Sequence, residues 1–195
     1  MARGEHDTPG RPSGVEMRAN QNPKARMGVF KSIDDVPDRY RLSNYAEEFR
    51  GNDTWSWYLM LRFDGTVNQA QGKLGKCRAG ELERCGRYFK TFMHRKRDKH
   101  HALATPDDIE SFLSEIKDGY KNPTKQPRAT STVYDTYFAP VNRFYDWLQS
   151  WVDFPHRHQP VLMACAKGGV ARECWDYRMG LADKQFDKKH GDTDE

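Results

Sequence analysis

The chain has 195 residues, a formal net charge of +4, 36% hydrophobic residues and 31% charged ones, with a mean hydropathy of −0.98. No stretch approaches the roughly 18 apolar residues that a membrane-spanning helix needs, and residues 1–28 lack the apolar core of a secretory signal, so a cytoplasmic protein without a membrane partner is expected. Ten prolines and the lack of alternating Val/Ile runs argue against a β-sandwich, while 12% aromatics supply the area for a helical core.

Residues 1–38 begin with a Gly, Pro, Asn and Arg-rich stretch without periodicity and are expected to form a flexible arm. Residues 39–180 read as one helical domain, and 181–195 as a disordered charged tail. The first helix signal covers residues 40–49, where Leu42, Tyr45, Ala46 and Phe49 repeat at helical spacing. Asn52 and Asp53 then offer caps for a short aromatic helix over 54–63 with Trp55, Tyr58 and Leu59 on one face, closed by a turn at Asp64-Gly65. A third helix places Leu82, Cys85, Phe89, Phe92 and Met93 on one side and Arg84, Arg87, Thr91, His94 and Arg95 on the other. Gly72, Gly75, Gly80 and Gly86 obscure its beginning, since each interior glycine costs about 1 kcal/mol.

The fourth helix has the clearest start: Thr105 as cap, Pro106 in the first position, and Asp107 and Asp108 in the first turn. Its stripe is Ile109, Phe112, Leu113 and Ile116, and Asp118-Gly119 ends it. The longest helix spans 130–151, with Tyr134, Tyr137, Phe138, Val141, Phe144, Tyr145 and Leu148 on one face and Thr132, Thr136 and Arg143 opposite. Pro140 lies inside it, which predicts a kink or break over 136–140. A last element starts at Pro160 and is interrupted at Gly168-Gly169, a helix break or C-cap, because neither the spacing nor a preceding strand fits a phosphate-binding loop. The expected fold is an all-α bundle of four to six helices.

Charge is unevenly placed. Residues 67–101 carry +7 and three histidines, and the neighbouring residues 102–120 carry −4. A stretch of that kind attracts polyanions, and double-stranded DNA is the partner it suggests. The candidate DNA-binding residues are Lys73, Lys76, Arg84, Arg87, Lys90, Thr91, His94, Arg95, Lys96 and Arg97 from this stretch. The basic loop Lys121, Lys125 and Arg128 adds to them, as do Thr130, Ser131, Thr132, Thr136 and Arg143 of the long helix. That loop leads into a helix N-terminus, where free N–H groups favour phosphate.

The segment ATPDDIESFLSEI, the basic loop and STVYDTYFAPVNRFYDWLQSW together resemble the N-terminal core-binding domain of tyrosine recombinases, the phage-integrase family. The resemblance rests on Ser131-Thr132 as the cap and on Arg143-Phe144-Tyr145-Asp146-Trp147-Leu148 near the end. Residues 152–166 resemble the continuation in integrase-like proteins of halophilic archaea, although such proteins are usually acidic and this one is basic. The resemblance covers about residues 40–179. It implies a SAM-like core-binding bundle that clamps duplex DNA in integration or site-specific recombination, with two of its helices facing the major groove. By position these correspond to the basic helix and the helix from Thr130. It also implies a full-length recombinase as a second partner.

The family's catalytic domain follows this one and supplies Arg, Lys, His-x-x-Arg and a Tyr nucleophile. The 44 residues after Trp151 are too few for it, so the expectation is a protein that is not an enzyme, with no cofactor and no small-molecule substrate. His94-Arg95-Lys96-Arg97 has the His-x-x-Arg spacing but lies ahead of the other motifs, inside the basic helix. Two other readings compete. One is a helical protein–protein adaptor with a basic face. The other is a zinc-dependent module drawing on Cys77, Cys85, Cys165 and Cys174 with His94, His100 and His101; no Cys-x-x-Cys pair supports it, and no metal is expected.

Overall fold

A computed structural model describes residues 21–62, 76–124, 126–150 and 157–190. The fold is all-α, with six helices and no strand among the described residues. They are α1 (Thr54–Arg62), α2 (Lys76–Arg97), α3 (Pro106–Lys117), α4 (130–149), α5 (Pro160–Lys167) and α6 (Gly169–His190). Short helical turns at Pro23–Arg26, Asp38–Tyr40, Leu42–Tyr45, Ala46–Phe49 and His101–Leu103 complete the order.

The predicted stripes form one core. Leu82, Cys85, Phe89, Phe92 and Met93 of α2 are buried with Ile109, Phe112, Leu113 and Ile116 of α3 and with Phe144, Tyr145 and Leu148 of α4. Trp55 packs on Phe144 at 5.1 Å and edge-on to Tyr58 at 5.7 Å, so α1 joins through aromatic contacts. The starts of α1 and α3 follow the cap chemistry in the sequence. Asp53 accepts from the Ser56 N–H at 3.1 Å. At α3 the Thr105 hydroxyl and the Asp108 carboxylate make a reciprocal capping box. The turn expected at Asp64-Gly65 lies outside the described residues.

Gly86 lets α1 approach α2. A Cβ at this position would stand 2.3 Å from Nε1 of Trp55, a ring that is 2% exposed. Gly86→Ala is therefore expected to destabilise the fold by about 1–3 kcal/mol, overpacking outweighing the better helix former. Gly80 faces open space, and Gly80→Ala is expected to stabilise by about 0.5–1 kcal/mol. Thermal denaturation of the two variants checks the opposite signs.

The predicted disturbance before Pro140 takes the form of a π turn over Tyr134–Phe138, in which the Ala139 N–H reaches back to the Tyr134 carbonyl. The wider turn takes up a proline that cannot donate, and α4 continues through Ala139–Gln149. Gly168 and Gly169, both at positive φ, separate α5 from α6 as the sequence suggested. The new N-terminus is capped across the core, Glu110 of α3 accepting from the N–H groups of Val170 at 2.8 Å and Ala171 at 2.9 Å.

Three boundaries differ from the sequence reading. Residues 40–49 are not one helix, because extended Arg41 separates two turns and its guanidinium is tied to the Val36 carbonyl at 2.8 Å. The expected arm is packed from residue 21 onward. Met27 and Val36 are 2% and 1% exposed, and the Gln21 carbonyl accepts from Trp175 Nε1 at 2.6 Å. Isolated apolar residues in a polar stretch found tertiary sites that composition does not reveal. The expected tail is helical as far as His190, and Asp183 there accepts from Gln21 at 2.8 Å.

Candidate nucleic-acid interface

The basic helix α2 packs directly on α4. Its Cys85 thiol lies 3.8 Å from the Tyr137 carbonyl, and its Tyr88 ring stacks on Tyr137 at 6.2 Å. Tyr120, from the turn after α3, meets Tyr88 edge-on at 6.5 Å. Cations lie over these three rings: Arg87 over Tyr88 at 5.8 Å, Lys96 and Lys121 over Tyr120 at 5.1 and 5.6 Å, and Arg128 over Tyr137 at 5.5 Å. The structure thus gathers the basic face of α2 and the basic loop on one side of the molecule. Ring quadrupoles hold these charges in place.

Ion pairing divides the candidates. Arg84, Arg87, His94 and Arg95 are exposed along α2, as is Lys121 in the loop. Among the described residues no carboxylate lies within 4 Å of any of them. Lys90 instead bonds Asp53 at 2.5 Å, Lys96 bonds Glu115 at 2.5 Å and Arg97 reaches Asp108 at 3.3 Å. These three links tie α2 to the cap of α1, to α3 and to the capping box of α3. The acidic stretch that follows in sequence thus folds back on part of the positive face, which a residue count along the chain cannot show.

Arg128 is also held internally, its guanidinium donating to the Ile116 carbonyl while its own N–H bonds the Lys117 carbonyl at 2.7 Å. The Thr91 hydroxyl bonds the Arg87 carbonyl of its own helix at 2.7 Å. Lys90, Lys96, Arg97, Arg128 and Thr91 thus have structural duties that the sequence reading did not give them.

Thr130, Ser131 and Thr132 form the first turn of α4, after Ala129, which provides no side-chain cap. Thr132 is exposed, and Thr130, Ser131 and Thr136 are half-buried. Arg143 lines a separate cavity with other α4 residues and Arg178 of α6, and with none from α2. Lys73 and Lys125 lie outside the described residues, and of Lys76 only its place in α2 is described. Tyr88 and Tyr120 were missed as site residues. Their signal was an aromatic beside a cation, Arg87-Tyr88 and Tyr120-Lys121.

A cavity of about 510 Å³ borders the same helix, lined by Lys90, His94, Asp53, His100 and His101 among others. Two of its histidines, His100 and His101, are structural. His101 Nε2 accepts the Trp55 N–H at 3.2 Å and lies 2.9 Å from the Thr54 hydroxyl, so it caps α1 as a neutral ring. His100 bonds the Asn52 carbonyl through Nε2 at 2.7 Å and accepts the Ala102 N–H through Nδ1 at 3.1 Å. Burial, with His100 adjacent, pushes His101 down to about 3. Burial also lifts the Asp53 carboxyl, but Lys90 and Ser56 outweigh it and hold the group below its usual range. Among the described residues no group of three or more His, Cys, Asp or Glu could hold a metal ion, and no helix is long and apolar enough to cross a membrane.

Comparison with family models, with curated proteins and with solved structures finds no match to this chain.

Proposed function

We propose that the chain is a double-stranded DNA-binding protein of the integrase core-binding kind, acting in DNA integration and recombination or in their regulation, without catalytic machinery of its own. The observation that carries this reading is the row of exposed Arg84, Arg87 and Arg95 on α2, unmatched by carboxylates among the described residues, beside Tyr120, over which Lys96 and Lys121 both lie. Phosphates are the complementary charges for such a row. Thr132 and the first turn of α4 extend it. A complete recombinase, supplying the chemistry, is the second partner in this reading.

Titrating duplex DNA with the full chain across salt concentrations tests the proposal. Binding is expected at about 50 mM salt, with log K falling against log salt at a slope of about −3 to −4, as four phosphate contacts require. No binding at low salt, or a slope near zero, overturns it. The adaptor reading draws on a different observation, the adjacent exposed Met60 and Leu61 of α1. Failure of DNA binding together with capture of a recombinase would favour it.

A further inference from the structure

The end of α3 carries a tyrosine to the basic helix. Gly119 stands at a φ of 101°, and its N–H bonds the Ile116 carbonyl at 3.2 Å. The Tyr120 N–H reaches back to the Glu115 carbonyl at 2.8 Å. These two bonds are a Schellman closure, in which the second residue past the cap returns to the last turn of the helix. Lys96 of α2 meets both ends of that closure. Its ammonium bonds Glu115 at 2.5 Å and lies over the Tyr120 ring at 5.1 Å. Tyr88, also of α2, meets the same ring edge-on at 6.5 Å.

Lys121 follows with a φ of 56°, a left-handed backbone that a lysine adopts only at a cost. The turn itself gives no reason for a lysine there. It is closed by the Asn122 N–H on the Gly119 carbonyl at 2.8 Å, a bond between backbone groups, and glycine takes a positive φ without strain. Strained residues persist where function holds them. The exposed Lys121 side chain also turns back onto its neighbour, its ammonium 5.6 Å from the centre of the Tyr120 ring.

Resting on the DNA-binding reading, we propose that Tyr120 is a positioning residue for Lys121. The ring keeps the Lys121 ammonium beside the last turn of α2, so that loop and helix grip one stretch of phosphodiester backbone. A free lysine spreads its ammonium over many rotamers, and a ring beneath it reduces the entropy lost on meeting a phosphate. A ring quadrupole also holds a cation without neutralising it, as a carboxylate would. Lys121 thereby differs from Lys96, whose charge Glu115 already offsets. An uncharged side chain thus sets part of the affinity, which a count of charges does not reveal.

A double-variant cycle in duplex DNA titrations of the full chain tests it. Lys121→Gly removes the ammonium while accepting the left-handed backbone. It is expected to weaken binding about tenfold and to reduce the salt slope by about 1. Tyr120→Leu is expected to weaken binding about threefold to tenfold with the slope unchanged, since no charge is lost. Added to Lys121→Gly, it is expected to cost less than about twofold more, because the ring acts through the lysine. Tyr120→Phe keeps the ring and is expected to bind as the parent does. Unchanged affinity in Lys121→Gly or in Tyr120→Leu overturns the proposal. So does an equal loss from Tyr120→Leu in both backgrounds, the mark of a merely structural ring, or weakened binding by Tyr120→Phe. If Tyr120→Leu does not fold, Lys121→Gly and Tyr120→Phe remain decisive. A parent chain that binds no DNA overturns the underlying reading instead, and this proposal with it.

Discussion

Reversing Arg84 and Arg87 to glutamate is expected to weaken duplex DNA binding at least a hundredfold, to about the same extent for every sequence, and to reduce the salt slope by about 2. Both side chains are exposed on α2, one turn apart, and neither is matched by a carboxylate among the described residues. The variant therefore keeps its fold, which a circular dichroism melt checks. Lys90→Ala is the contrasting variant. Its ammonium bonds Asp53 at the cap of α1, so its loss is expected to lower the melting temperature and leave the salt slope unchanged. If the double reversal binds DNA as the parent does, the contact face lies elsewhere on the molecule.

The second large effect is an acid-dependent loss of stability. His101 is pushed down to about 3 by burial with His100 beside it, and His158 to about 4 by burial with Arg41 nearby. Burial also lowers His100. In the unfolded chain each titrates near 6.5. A histidine kept neutral by folding makes the unfolded state the better proton binder at any pH between these values. Stability is complete above about pH 6.5 and falls as the pH drops toward the folded values, by roughly 2 kcal/mol for each of His101 and His158 at pH 5.

The carboxylates do not account for this window. Asp53 and Asp108 are held below 3.8, so their contribution is lost only at lower pH. Asp146 is pushed up by burial and acts in the opposite sense. Urea midpoints between pH 7.5 and 5 measure the slope, and His101→Gln, which can still accept the Trp55 N–H, is expected to flatten it. Midpoints that do not move between pH 7 and 5 would remove the neutral-histidine account.

The helical architecture was largely legible from periodicity and caps. Thr105-Pro106-Asp107-Asp108 marked the start of α3, and the stripes of α2, α3 and α4 named most of the core. Pro140 signalled a fault in α4, though not that the fault would be a π turn, since that depends on how neighbours fill the widened turn. The packed residues 21–38 and the helix beyond Asp183 were not legible because their order comes from partners remote in sequence, Trp175 for Gln21 and Gln21 for Asp183. The same holds for the candidate interface. The sequence located the basic stretch, yet whether a given cation is available depends on acids such as Asp53 and Glu115 that only the fold brings near.

The π turn has a consequence for how α4 can be used. Tyr137, Phe138, Ala139, Pro140, Val141 and Asn142 are buried in succession. An amphipathic helix alternates inward and outward positions, and six buried residues in a row mean that neighbours cover most of its circumference at its midpoint, leaving the cavity beside Phe138, Ala139 and Asn142 as an opening. Proline is well suited there, since it brings one polar group fewer into a buried position. Such a rod has no continuous flank to lay along a groove. Whatever α4 offers a long polymer comes from its first turn, Thr130 to Thr132, and α2 is left as the helix with an open side for one.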